Sequence, residues 1–173
     1  MNRGAQVWVE TVLYTLIALA LIGLVLAFMM PKINQTKDKL VVEQSISMLS
    51  ELDGKINEVS NTYGNRRTFD FTIKRGELYI NSTSDKIILI ISDLAKVYSE
   101  PGTSISNGPV KILSEQSQKN NIMYMTLNYE NLYNITFNGL DSNKKFSPAP
   151  IAYKAFVTSK SSNGLMQIDF EVA

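Results

Sequence analysis

The sequence predicts an α+β protein in which a long N-terminal hydrophobic helix precedes a mostly antiparallel, β-sandwich-like domain. Three observations lead there. Residues 12–30 carry no charge; apolar residues then recur with the 3.6-residue period of a helix; beyond Asn61 the apolar period falls to two.

The first element is the run VLYTLIALALIGLVLAFMM at 12–30, closed by Pro31-Lys32. As helix it rises about 28 Å, enough to cross the hydrocarbon core of a bilayer. A cleaved secretory signal has a shorter apolar region of about 7–15 residues and ends in small residues before its cut. Ala27-Phe28-Met29-Met30-Pro31 does not supply them, so the segment reads as a retained anchor. Trp8 and Tyr14 suit the interfacial zone, and Ala18, Ala20, Gly23 and Ala27 permit close approach of a neighbouring helix.

The second element continues the first. Val41, Met48, Leu49, Leu52, Ile56 and Val59 fall on one helical stripe, with Lys37, Asp38, Lys39, Glu43 and Glu51 mainly off it. One helix from about Gln6 to about Val59 accounts for both, apolar all round in its first half and amphipathic in its second. Pro31 lacks an N–H and its ring crowds the preceding turn, so a kink or a short unwound segment is expected there.

The third element is the β-region. Phe69, Phe71 and Ile73 alternate with Thr68, Asp70 and Thr72, and Lys74-Arg75-Gly76-Glu77 reads as a hairpin turn into Leu78-Tyr79-Ile80. The run KIILII at 86–91 reads as a strand buried on both faces. Further strands are expected at 110–113, 122–127, 132–137, 151–158 and 165–172. Turn chemistry separates them at Pro101-Gly102, Asn107-Gly108, Asn138-Gly139, residues 147–150 and Ser162-Asn163-Gly164. About seven or eight short strands without helix-strand alternation argue for a sandwich or a related barrel. Its expected core holds Phe69, Phe71, Ile73, Ile88, Ile90, Tyr133, Ile135, Phe137 and Phe170, with the helical stripe of Val41, Leu49, Leu52 and Ile56 docked on the sheet.

Composition narrows the function. With 17 Lys+Arg against 16 Asp+Glu, nothing in the total charge indicates a nucleic-acid partner. The absence of His and Cys removes imidazole bases, thiol nucleophiles, the usual zinc sites and disulfides. No nucleophile elbow or paired-carboxylate spacing is present, so no enzyme activity is expected and no cofactor or metal is needed.

The first ten residues, MNRGAQVWVE, carry the sharpest signal. Arg3, then the small Gly4 and Ala5, then Gln6, with Glu10 directly ahead of the apolar helix, resemble the class III signal peptide of archaeal type IV pilins, archaellins and their relatives. The resemblance covers about the first 30 residues. In that family a membrane peptidase cuts ahead of the hydrophobic segment, so the anchor stays on the mature protein. A cut between Ala5 and Gln6 makes Glu10 the fifth mature residue, as in the family pattern. A cut between Gly4 and Ala5 places Arg3 and Gly4 next to the scissile bond but moves Glu10 to the sixth. The resemblance implies a leader at 1–5, a membrane and filament-core helix at 6–31, an amphipathic extension and linker at 32–61, and an extracytoplasmic β-domain at 62–173.

The resemblance further implies a self-associating helical homopolymer, with a prepilin-type peptidase, an assembly ATPase and a polytopic platform protein as partners. The precursor would sit in the cell membrane as a single-pass protein with its β-domain outside. The assembled form would be a surface filament. Charge does not set this orientation, since Lys32, Lys37 and Lys39 follow the anchor and Arg3 precedes it. In the family, Glu10 would pair with the new α-amino group of an adjacent subunit. A carboxylate at a membrane helix is by default a functional candidate, although a Glu in the first helical turn is also favoured by the helix dipole alone. A second reading from a different class is a non-polymerising, single-pass accessory or stator protein whose β-sandwich binds another envelope protein. Three sequons, at Asn34, Asn81 and Asn134, are candidate N-glycosylation sites compatible with an outside face.

Overall fold

A computed structural model describes residues 3–117, 120–161 and 164–173 of the chain, with side chains from Val7 onward. One helix, α1 (Arg3–Ser60), is followed by β1 (Arg66–Phe71), β2 (Glu77–Asn81), a 3-10 turn (Ser82–Ser84), β3 (Lys86–Ile91), β4 (Ser104–Asn107) and β5 (Val110–Gln116). Then come β6 (Asn121–Asn128), β7 (Tyr133–Phe137), β8 (Lys144–Phe146), β9 (Tyr153–Lys160) and β10 (Met166–Val172). The fold is α+β, as the sequence predicts, and the chain divides into two compact units, Met1–Lys37 and Asp38–Ala173.

The first unit is helical, and its described side chains lie almost entirely on the surface. Helical backbone continues through Pro31, so the expected unwound segment is not present. The long stretches of α1 on either side of it supply enough intact turns to carry the lost hydrogen bond.

The second unit holds two sheets, ordered β1-β9-β10-β7 and β4-β5-β6-β3-β2-β8. Every pairing is antiparallel except β7 with β10. From α1 the buried stripe is Val42, Ile46, Leu49, Leu52, Ile56 and Val59, at spacings of three and four. These residues share one apolar cluster with Phe69, Phe71, Leu78, Ile87, Met125, Ile135 and Phe170 of the strands. Burying such side chains contributes about 1.5–3 kcal/mol each. Polar contacts fix the dock: Tyr129 Oη donates to Asp53 Oδ1 at 2.7 Å, and Arg67 Nε donates to Glu58 Oε2 at 3.2 Å. Burial, followed by the hydrogen bond to the Asp53 carboxylate, raises the Tyr129 phenol above its ordinary range.

Four local expectations are corrected. Val41 is half-buried and Val42 takes its place, because Val42 lies two full turns before Leu49. β3 is buried on one face only: Ile87, Leu89 and Ile91 point into the core, while Ile88 and Ile90 are half-buried on the outer face. Their cross-strand neighbours Tyr79, Thr126 and Tyr124 cover them in part, which is why a continuous apolar run is tolerated there. Tyr133 is also half-buried, its hydroxyl reaching Ser60 Oγ at 3.1 Å. Residues 74–77 do not close a hairpin. β1 pairs with β9 and β2 with β3 and β8, so this segment crosses from one sheet to the other, with Ile73 buried at the crossing.

Candidate membrane and assembly helix

The N-terminal unit is where the sequence places processing, anchoring and assembly. Its described apolar side chains point in all directions, and none of these is covered: Trp8 is 69% exposed, Leu19 60% and Phe28 72%. The helix is long and apolar enough to cross a membrane. Monomeric soluble proteins rarely expose a contiguous apolar surface of this extent, and such surfaces mark membrane or protein contacts.

The polar groups within it are satisfied locally. Thr11 Oγ1 donates to Val7 O at 2.9 Å and Thr15 Oγ1 to Thr11 O at 2.8 Å. A hydroxyl bonded back to its own helix presents little unsatisfied polarity to an apolar surrounding. Glu10 is exposed on α1.

Arg3, Gly4, Ala5 and Gln6 have helical backbone, and their side chains lie outside the described ones. Both candidate cuts fall in the first turn of α1. The first four N–H groups of a helix lack intrahelical acceptors, so unwinding there breaks the fewest hydrogen bonds.

The three sequons sit in different settings. Asn34 is exposed on α1, and Thr36 Oγ1 donates to Lys32 O at 3.0 Å. Asn81 is half-buried at the end of β2, its Oδ1 accepting from Ser84 N–H at 3.2 Å. Asn134 is half-buried in β7, next to a buried Thr136 whose Oγ1 donates to Asp169 Oδ1 at 2.7 Å. The structure brings the second and third near each other, since the 3-10 turn lies beside β7, and leaves Asn34 on the helix.

Two groups of consequence were not read from the sequence. Asp169 is fully buried and accepts from Lys160 Nζ at 2.5 Å and from Gly139 N–H at 2.6 Å, in addition to Thr136. Asp38 binds Arg75 at 2.6 Å and the Ala95 N–H at 2.6 Å. Strand alternation does mark Asp169 as off the core face in Gln167-Ile168-Asp169-Phe170. Only the chain path of residues 138–139 shows that a loop folds over it. Among the described residues no group of three or more His, Cys, Asp and Glu could hold a metal ion. Compared with protein-family models, with curated proteins and with solved structures, the chain matches none.

Proposed function

We propose that the chain is a structural subunit of an archaeal type IV pilus-like surface filament. It is made as a single-pass membrane precursor, trimmed after Gly4 or Ala5, and polymerised through its N-terminal helix. The observation that carries this reading is the contrast within α1. Residues 12–30 are uncharged, apolar on every side and exposed, whereas Val42, Ile46, Leu49, Leu52, Ile56 and Val59 of the same helix are buried in the β-domain. A helix that only stabilised its own domain would need the second half alone. The first half has a complete apolar circumference, which suits exchange between two coverings: lipid in the precursor and the helices of other copies in the polymer.

In this reading the β-domains lie outside, the role is structural rather than catalytic, and no cofactor takes part. A prepilin-type peptidase trims the chain, and an assembly ATPase with a platform protein extracts it from the membrane. The exposed sequon at Asn34 and those at Asn81 and Asn134 remain candidate glycosylation sites on that outer side. The deciding experiment is electron microscopy of sheared, purified surface filaments with mass spectrometry of their subunits. Filaments containing this chain with Gln6 or Ala5 as first residue support the proposal. Filaments lacking the chain, with an intact chain confined to the membrane, would replace it by the single-pass accessory protein.

A further inference from the structure

The four sheet edges of the β-domain are not protected alike. β1 carries Arg66, Arg67 and Asp70, all exposed. β7 is covered by the 3-10 turn, and Asp85 Oδ1 accepts the Ile135 N–H at 2.8 Å. β8 is three residues long and carries Lys144 and Lys145. Charge, short length and side-chain capping are the ordinary ways of keeping a sheet edge from pairing with another chain. β4, with the sequence Ser-Ile-Ser-Asn, is also short, at four residues, but it is uncharged, contains no Pro, and all of its residues are exposed.

The backbone groups that β4 offers follow from its hairpin. Gly108 and Pro109 form a two-residue turn with Asn107 opposite Val110, so these two exchange both hydrogen bonds. Alternation then makes Ile105 with Ile112 the next bonded pair and turns the N–H and C=O of Ser104 and Ser106 outward. Ser114 has the same parity as Ile112, and its carbonyl accepts from Gly102 N–H at 2.8 Å on the β4 side, in agreement.

Ile105 is also misplaced for a free edge. It faces Ile112, which is fully buried, and that row continues through Met125, Leu89 and Leu78. The apolar row of the core therefore runs out to the last strand and ends in a side chain that is 38% exposed.

We propose that β4 is a contact between two copies of this chain, paired antiparallel about a two-fold axis at Ile105. A second copy fits because the other edges are guarded, leaving β4 as its own complement. In this register Ser104 of one copy lies opposite Ser106 of the other, and their outward groups make four hydrogen bonds. Ile105 meets its counterpart as a non-hydrogen-bonded pair, the closer-spaced of the two antiparallel kinds. The apolar row becomes continuous across both sheets. A two-fold contact closes on itself, so it cannot propagate a helical polymer. It joins two chains, or two filaments side by side, and does not depend on the filament reading. Four residues a side bury less than a standard interface, so the pairing is weak for isolated chains and gains strength where copies are held together in a membrane or array.

The chain has no cysteine, which makes the test direct. Single substitutions Ser104→Cys, Ile105→Cys, Ser106→Cys and Asn107→Cys are made in the full chain, and membranes from producing cells are mildly oxidised. Disulfide dimers of twice the chain mass should form with Ile105→Cys at least roughly tenfold faster than with the other three variants, because only that position faces its own counterpart at high effective concentration. Adding Ser106→Pro, which removes an N–H that the register turns away from β5, should return that rate to background. Equal rates at all four positions, a rate indifferent to Ser106→Pro, or a disulfide between the Ile105→Cys variant and a protein of another mass would overturn the proposal.

Discussion

Arg75 and Asp38 form an ion pair at 2.6 Å that ties the second half of α1 to the crossover between the two sheets. The second Asp38 oxygen accepts the Ala95 N–H at 2.6 Å. Arg75 Nη2 donates to the carbonyl oxygens of Ser92, at 2.8 Å, and Asp93, where the chain adopts a positive φ of 57°. One side chain from the helix and one from the crossover thus hold residues 92–95. The Asp38 side chain is 13% exposed and that of Arg75 33%, so removing the carboxylate takes away the charge partner of a partly buried guanidinium and the acceptor of the Ala95 N–H. Asp38→Ala should lower unfolding free energy by about 2–3 kcal/mol. Asp38→Asn keeps the acceptor for Ala95 and should cost about half as much. Thermal or denaturant unfolding of the full chain in detergent measures both; equal costs for the two variants would remove the charge from this account.

The same crossover contains Gly76, at φ +88°, and a Cβ placed there would overlap the Ile90 carbonyl oxygen. Neither the backbone angle nor the contact can relax, because Ile90 lies in a central strand. Gly76→Ala should therefore cost more than the usual glycine penalty, about 2–4 kcal/mol. Gly54 gives the opposite expectation. It is helical, with nothing within 4 Å of an added Cβ, so Gly54→Ala should stabilise by about 0.5–1 kcal/mol. Melting temperatures moving the same way in both variants would contradict the pair of predictions.

These positions indicate what local pattern can and cannot reveal. The helix was legible because an uncharged run and a 3.6-residue stripe each extend over many turns, and its end at Ser60 falls where the stripe stops. Burial of Phe69, Phe71, Ile135 and Phe170 followed from alternation alone. Gly76 looked like a hairpin residue, since sequence records the tight turn but not which sheet the chain enters next. β4 and β8 were missed because an edge strand has little apolar alternation to show: β4 has only Ile105, and β8 buries only Phe146. Lys86–Ile91 misled in the other direction, because an outer face flanked by Tyr79 and Tyr124 accepts isoleucines without full burial. The motif residues ahead of Val7 were read from the sequence, and their side chains lie outside the described structure.

Asp169 gives a pH-dependent expectation. Burial pushes its carboxyl up, but the hydrogen bonds from Lys160, Thr136 and the Gly139 N–H outweigh burial and hold it below its ordinary value of 3.8. A carboxyl depressed in the folded state contributes stability that is complete above its unfolded value and is lost as pH falls through the folded one. Asp169→Asn keeps an acceptor but loses the charge. With Lys160 42% exposed the ion pair is partly screened, so the cost at neutral pH should be only about 1–2 kcal/mol. The difference between wild type and Asp169→Asn should shrink as pH is lowered below about 4. A difference that stays constant from neutral pH to about pH 2 would show that the carboxylate is not the source of the effect.

Assembly is tested most directly at Glu10. The proposal gives it a partner that exists only after trimming, the new α-amino group of a neighbouring subunit. Glu10→Gln and Glu10→Ala should therefore leave membrane insertion and trimming intact while filament yield falls at least roughly tenfold, the loss expected for a charge pair worth more than about 1.4 kcal/mol in an apolar surrounding. Gly4→Val combined with Ala5→Val should act one step earlier, because branched side chains beside the cut block trimming and leave untrimmed precursor in the membrane. The two classes of variant are separated by one measurement, mass spectrometry of the N-terminus: Glu10 variants should begin at Gln6 or Ala5, and the double valine variant at the untrimmed end. The helix-dipole expectation does not hold in the folded chain: α1 begins at Arg3, so Glu10 lies about two turns in, and the dipole effect falls off within the first turn. Glu10→Ala filaments at wild-type yield would therefore remove the assembly role of Glu10, and surface filaments built from untrimmed chains would remove the processing step as well.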